Sequence, residues 1–290
     1  MSDFVLLTDS CCDLPQALVD EMQLAYVPLC VHMDENTYRN YLDEREISYA
    51  DFYAQLPKVK DIKTSAVNQH EFLEAMEPIA KSGKDFIYIG FSSGLSGTYS
   101  AGALAAQELQ EKYPERKLYA VDTLAASLGQ GMLVYYAWLQ KQQGKSIEEV
   151  YQFLTDSALK MCHWFTVNDL MHLKRGGRVS AATALVGSML SIKPVMHVDD
   201  EGHLTVVDKA RGRKNSIKRL LDEMKKTVIE PEKQVIFISH GDAQEDAEYL
   251  AGMVRDELKV KDVVINYVGP VIGAHSGPGT LALFFFGSKR

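Results

Sequence analysis

The chain carries little that would fix it through covalent or metal chemistry. Only four of its 290 residues are cysteine (Cys11, Cys12, Cys30 and Cys162), and none stands in a C-x-x-C pair. Adjacent Cys11 and Cys12 are poorly placed to bridge each other, so reduced thiols and a cytoplasmic location are expected. No His, Cys, Asp or Glu cluster has metal-ligand spacing, and no metal is expected. No apolar run approaches the ~18 residues of a membrane-spanning helix. The opening stretch Met1–Asp9 has no basic region and only a short apolar run, which reads as a first strand rather than a signal peptide. Acidic residues outnumber basic ones by 39 to 31, leaving a net charge of −8. A nucleic-acid binder needs a positive field to displace counterions, so DNA and RNA are not expected partners. The G-x-x-x-x-G-K-[ST] loop is missing, and no G-x-G-x-x-G follows the first strand, which argues against a nucleotide or dinucleotide cofactor.

What is present is the composition of an ordinary globular protein, long enough for one large domain or two smaller ones. Brief apolar runs at Phe4–Thr8, Tyr26–Met33, Asp85–Phe91 and Lys117–Val121 read as strands. Between or after them, Glu71–Ser82, Thr98–Tyr113, Gly129–Gln143 and Ile147–Met161 repeat apolar residues at helical spacing. Such alternation predicts a mainly parallel sheet covered by helices. Later segments mix differently: helices over 170–173, 181–191, 216–226 and 243–258, a hairpin over 193–209 turning at Asp200-Glu201-Gly202, and strands over 234–239 and 262–268. The expected fold is therefore α/β in two domains, an N-terminal α/β domain over 1–160 and a C-terminal mixed α+β domain over 161–290.

Chemistry is concentrated in a few loops. Thr8–Pro15 ends the first strand, where open α/β sheets place ligands, with Asp13 as a natural helix cap; it is either a capping turn or part of a site. Lys63-Thr64-Ser65 precedes a helix and could cap it or bind an anion. Phe91–Ser100 joins an apolar strand to a helix with two glycines and a run of hydroxyls; glycines let backbone approach a ligand and serines offer short neutral donors. Within it, Gly94-Leu95-Ser96-Gly97-Thr98 misses the last glycine of a hydrolase elbow. Gly269–Gly279 packs four glycines and two prolines around His275, a rigid loop whose histidine is either structural or held to face a ligand. Leu173–Ser180 ends one helix at a glycine pair. Lys209–Lys214 holds four basic residues in six positions, either a solvated turn or a docking patch.

Taken in order, Thr8–Pro15, Lys63–Ser65, Ser92–Ser100, Leu173–Ser180, Ile192–Pro194, Lys209–Lys214 and Gly269–Gly279 resemble the motifs of the DegV family, bacterial fatty-acid-binding proteins that act as the acyl-carrying subunit of fatty acid kinase. Cys11-Cys12 and Ala66-Val67-Asn68 depart from the familiar pattern without touching the key hydroxyls. The resemblance implies a carrier with no catalytic residues and no cofactor, holding one long-chain fatty acid (palmitate, stearate or oleate) in a buried tunnel. It implies that Thr64 and Ser96 bond the carboxylate, with His275 and Ser93 beside them. It further implies a separate ATP-dependent kinase that phosphorylates the bound carboxylate for phospholipid synthesis, Arg175 and Arg211 as contacts for phosphate or partner, and transient membrane-surface contact during ligand exchange. Leu185, Val186, Met189 and Leu190 are expected either along the tunnel or in ordinary core, and Met189 and Met196 would suit a tunnel that adapts to chain shape. The rival expectation is a serine hydrolase using Ser96 and His275.

Overall fold

The computed structural model describes residues 4–179 and 191–290, and the stretch carrying Leu185, Val186, Met189 and Leu190 lies outside them. The first half runs β1 (Phe4–Asp9), α1 (Gln16–Met22), β2 (Ala25–Val27), β3 (Cys30–Met33), β4 (Asn36–Arg39), α2 (Tyr49–Gln55), β5 (Ile62–Ser65), α3 (Gln69–Lys81), β6 (Asp85–Gly90), α4 (Thr98–Lys112), β7 (Leu118–Asp122), α5 (Leu128–Gln142) and α6 (Ile147–Ser157). There follow β8 (Met161–Thr166), α7 (Met171–Arg175), β9 (Ile192–Val198), β10 (Leu204–Arg211), α8 (Arg213–Thr227), β11 (Val235–His240), α9 (Gln244–Leu258), β12 (Asp262–Tyr267), α10 (Pro270–Ser276) and β13 (Leu281–Phe286).

Three sheets result. β2-β1-β6-β7 is wholly parallel, as the alternation of short strands and helices predicts. β10-β9-β8-β13-β11-β12 is mixed, parallel only between β11 and β12. The third, β4-β3-β5, is a small antiparallel sheet. The stretch Tyr26–Met33, read as one strand, is two, because Pro28 interrupts the ladder and sends β2 and β3 to different sheets. The helix expected to reach Met161 ends at Ser157, and Met161 instead opens β8.

Helix starts follow local chemistry. Asn68 and Glu71 form a reciprocal capping box on α3, and Ser146 and Glu149 do the same on α6. Asp13 does not cap α1: Pro15 holds that position, and Asp13 turns inward in a left-handed conformation (φ 49°).

α5 is the structural hub. Residues Leu128–Val134 and Ala137 are all buried, the signature of a helix enclosed on every side. It touches β1 and β6 of the parallel sheet and β8, β11 and β13 of the mixed one. Two glycines permit this closeness: a Cβ on Gly129 would fall 2.3 Å from the His163 ring, and one on Gly131 would fall 2.5 Å from the Cys12 carbonyl. The outer strand β10 bulges between Val206 and Asp208 and exposes Asp208, Lys209 and Arg211.

Candidate functional site

A cavity of about 190 Å³ lies between the parallel and mixed sheets, beside α10. Its walls are largely apolar: Leu29, Phe91 and Leu95 from the first half meet Phe165, Ala282 and Phe284 from the second. Side-chain alternation explains the second wall. Phe165 faces Ala282 across the β8–β13 ladder, and Ala282 faces Ser239 across β13–β11, so one face of the mixed sheet lines the space.

Polar groups are few and grouped. Thr64 at the end of β5, Ser96 in the loop after β6, and His275 and Ser276 on α10 all line the cavity. His275 Nε2 lies 2.8 Å from Thr64 Oγ1, joining residues 211 positions apart. Burial, reinforced by Arg178 and then Arg175, lowers the His275 imidazole to about 4, so it is neutral at ordinary pH. Ser96 Oγ pairs with Thr98 Oγ1 at 2.9 Å and accepts the Thr98 amide; no hydrogen bond joins it to His275. The hydrolase geometry of Ser96 activated by His275 is therefore absent, since Thr64 occupies the imidazole. Ser276 Oγ is buried with no partner.

The segment Gly269–Gly279, read as a rigid loop, contains the short helix α10, with Pro270 in its first turn. Its glycines serve packing: a Cβ on Gly273 would meet the Tyr53 hydroxyl at 2.7 Å. Lys63-Thr64-Ser65, read as a segment before a helix that could cap it or bind an anion, is in β5, where Thr64 pairs in register with Val31. Opposite α10, Gly176 leaves room for His275, because a Cβ there would sit 2.1 Å from Nδ1.

Three of the other sequence-derived candidates lie at the surface. Ser93 is exposed and outside the cavity lining, its amide bonding Asp122. Its neighbour Ser92 is buried and donates to the Gly202 carbonyl at 2.9 Å, docking the loop onto the β9–β10 turn. Gly94 is pressed against the same turn, with 2.6 Å from a would-be Cβ to the Glu201 carbonyl. Arg175 is exposed and bonds His172 at 2.8 Å. Arg211, exposed at the end of β10, is also outside the lining. Met196, expected along the tunnel, is fully buried in the core cluster and is not a lining residue.

Reading the sequence missed Arg178, Ser127 and Ser239. Arg178 lines the cavity and donates to the Leu95 and Gly176 carbonyls at 3.2 and 2.5 Å, tying the hydroxyl loop to the glycine pair after α7. Its signal was present in the Arg175-Gly176-Gly177-Arg178 repeat. Ser127 and Ser239 also line the cavity, 2.9 Å apart, and Ser127 Oγ lies 2.6 Å from Asp13 Oδ2. Ser127 holds an unusual backbone (φ 54°, ψ −143°). Burial raises Asp13 to about 7, against the lowering effect of the Ser127 bond. Asp9, also raised by burial, accepts from Tyr88, Phe91 and Cys11. Thr8–Pro15 thus acts as a buried scaffold behind the cavity wall. Among the described residues no cluster could hold a metal, and no helix is long and apolar enough to cross a membrane.

The chain is similar to several known proteins. The family model described as "Uncharacterised protein, DegV family" matches residues 3–288. A DegV domain-containing protein of Clostridium perfringens is 47% identical over 290 residues, covering 100% of this chain and 99% of its own. Among solved structures, a DegV-family protein of Thermus thermophilus, described as fatty acid binding, superposes with a TM-score of 0.89 at 30% identity, over 98% of this chain and 99% of that one. DegV of Bacillus subtilis, described as a fatty acid binding protein, gives 0.85 at 28% identity, over 99% and 100%.

Proposed function

The chain belongs to the DegV family, and on that premise we propose that it binds a long-chain fatty acid, carboxylate at Thr64, Ser96 and His275, alkyl chain along the apolar walls. The observation that carries this reading is the Thr64–His275 pair set into an otherwise apolar cavity. Each buried methylene contributes ~0.8 kcal/mol, so a palmitoyl-length chain offers on the order of 10 kcal/mol before ordering costs. A carboxylate leaving water must gain hydrogen bonds or protonate. Here the Thr64 and Ser96 hydroxyls and the unpartnered Ser276 hydroxyl can donate. The neutral imidazole can offer its N–H to the anion, and the half-buried Arg178 guanidinium lies in the same lining. Ser93, pointing to solvent, is left out of the set.

The protein in this reading is a carrier. A separate ATP-dependent kinase phosphorylates the held carboxylate to an acyl phosphate, and hydroxyls hold the oxygen loosely enough to release it, where a bidentate arginine would not. Arg175 and Arg211, both exposed, are available to that partner or to the phosphate. The divide near residue 160 then falls between the two sheets that enclose the ligand.

The test is direct. Protein purified from a bacterium is expected to carry a fatty acid detectable by mass spectrometry, and delipidated protein to take one up. Thr64→Ala and His275→Ala are each expected to weaken retention about ten-fold or more, on the scale of one lost hydrogen bond to a charged group. Empty protein that takes up no added fatty acid would sink the proposal.

A further inference from the structure

One wall residue does not fit a plain hydrocarbon lining. His163 in β8 points to the same face as Phe165, two residues along. Its surroundings on that face are Phe284, Phe165 and Val198, with Leu204 nearby in the lining. The ring is only 2% exposed and meets Phe284 edge-on, centroids 5.4 Å apart. Neither Nδ1 nor Nε2 has a side-chain partner or a backbone partner of good geometry, the nearest being a Met161 backbone group, and Nε2 lies on the side that faces Gly129. The fold nonetheless makes room for the ring, through the missing Cβ of Gly129 on α5.

Burial holds this imidazole neutral, well below the usual histidine range. A neutral ring has one N–H donor and one acceptor nitrogen in either tautomer. Buried polar side chains are almost always paired, and an orphan in a ligand cavity asks what pairs it. A saturated alkyl chain cannot: it displaces any water there and offers nothing in exchange. A hydroxyl can, since it both donates and accepts.

Resting on the fatty-acid reading of this cavity, we infer that His163 is a specificity residue that hydrogen-bonds an oxygen carried on the acyl chain. The cavity then favours a hydroxylated fatty acid over the saturated acid of equal length. Sites built around a hydrogen bond discriminate sharply against analogues that lack the partner, because the buried group is left unpaired.

The experiment measures binding of stearic acid and of hydroxystearic acids with the hydroxyl at mid-chain or near the methyl end, by competition against a fluorescent fatty acid on delipidated full-length protein. At least one hydroxystearic acid is expected to bind about ten-fold more tightly than stearic acid. His163→Phe, which replaces the ring by an apolar one of similar shape, is expected to abolish that preference while stearic acid binds as well or better. His163→Leu serves as a second variant, with thermal unfolding as the folding control for both. Stearic acid binding as tightly as every hydroxystearic acid, or a preference that survives both variants, overturns the inference and leaves the fatty-acid reading intact. Failure of stearic and hydroxystearic acids alike overturns both.

Discussion

At the scale of single residues, Asp13 and His275 are shifted in opposite directions by the same cause, burial of the charged form. Asp13, raised to about 7, keeps its proton in the folded state while the unfolded chain has lost it. Its contribution is full at low pH and is lost as pH rises towards 7. His275, lowered to about 4, stays neutral when folded while the unfolded chain takes a proton. Its contribution is full above about pH 6.5 and is lost as pH falls towards 4. Over roughly pH 4.5 to 6.5 the two slopes oppose each other. Urea denaturation across that window is expected to show a flat profile for these two groups combined. Asp13→Asn should tilt it, with stability rising with pH, and His275→Gln should tilt it the other way, each by on the order of 2 kcal/mol. Identical profiles in all three proteins would contradict the shifts. Neither shift could be read from sequence, because each comes first from burial, which depends on what packs across the fold.

At the scale of elements, legibility tracked the sharpness of the local signal. Capped helices such as α3 and α6 were readable because periodicity and caps coincide there, and apolar strands such as β1 and β6 because their runs are sharply bounded. β13 was missed: Leu281–Phe286 is apolar at every position and buried on both faces, so it has no alternation to detect. β5 was missed because its hydroxyls suit a helix cap equally well, and only its pairing with β3 makes it a strand. α10 was missed because glycine and proline usually break helices, whereas here the glycines admit Tyr53 and Pro270 sits in the first turn. The fold class and the Thr64, Ser96 and His275 candidates needed only motif order. Their company, with Arg178 and Ser276 at one wall, needed the packing of α7 against α10. That packing is testable. Gly176→Ala places a methyl where the His275 ring stands and is expected to reduce fatty-acid retention at least ten-fold while costing ~1–3 kcal/mol of stability. Fluorescent fatty-acid displacement and thermal unfolding on the same preparation separate the two effects; unaltered retention would mean the ring does not hold the carboxylate.

For the molecule as a whole, the cavity lies between the two larger sheets, so the ligand in our proposal completes the core. Anything that binds only the folded state stabilises it by mass action, about 2.7 kcal/mol at a hundred-fold excess over Kd. Delipidated protein is therefore expected to unfold several degrees below the same protein reloaded with fatty acid. Differential scanning calorimetry of the two forms checks this, and coincident transitions would count against a ligand in the core.

The outer strand β10, with its bulge and its exposed Asp208, Lys209 and Arg211, bears on how the protein behaves in a crowd. An open strand edge is a template on which another chain can add itself, and a kinked, charged edge is a poor one. The basic run that began as a choice between solvated turn and docking patch lies along this edge, where its charges disfavour the addition of a second strand.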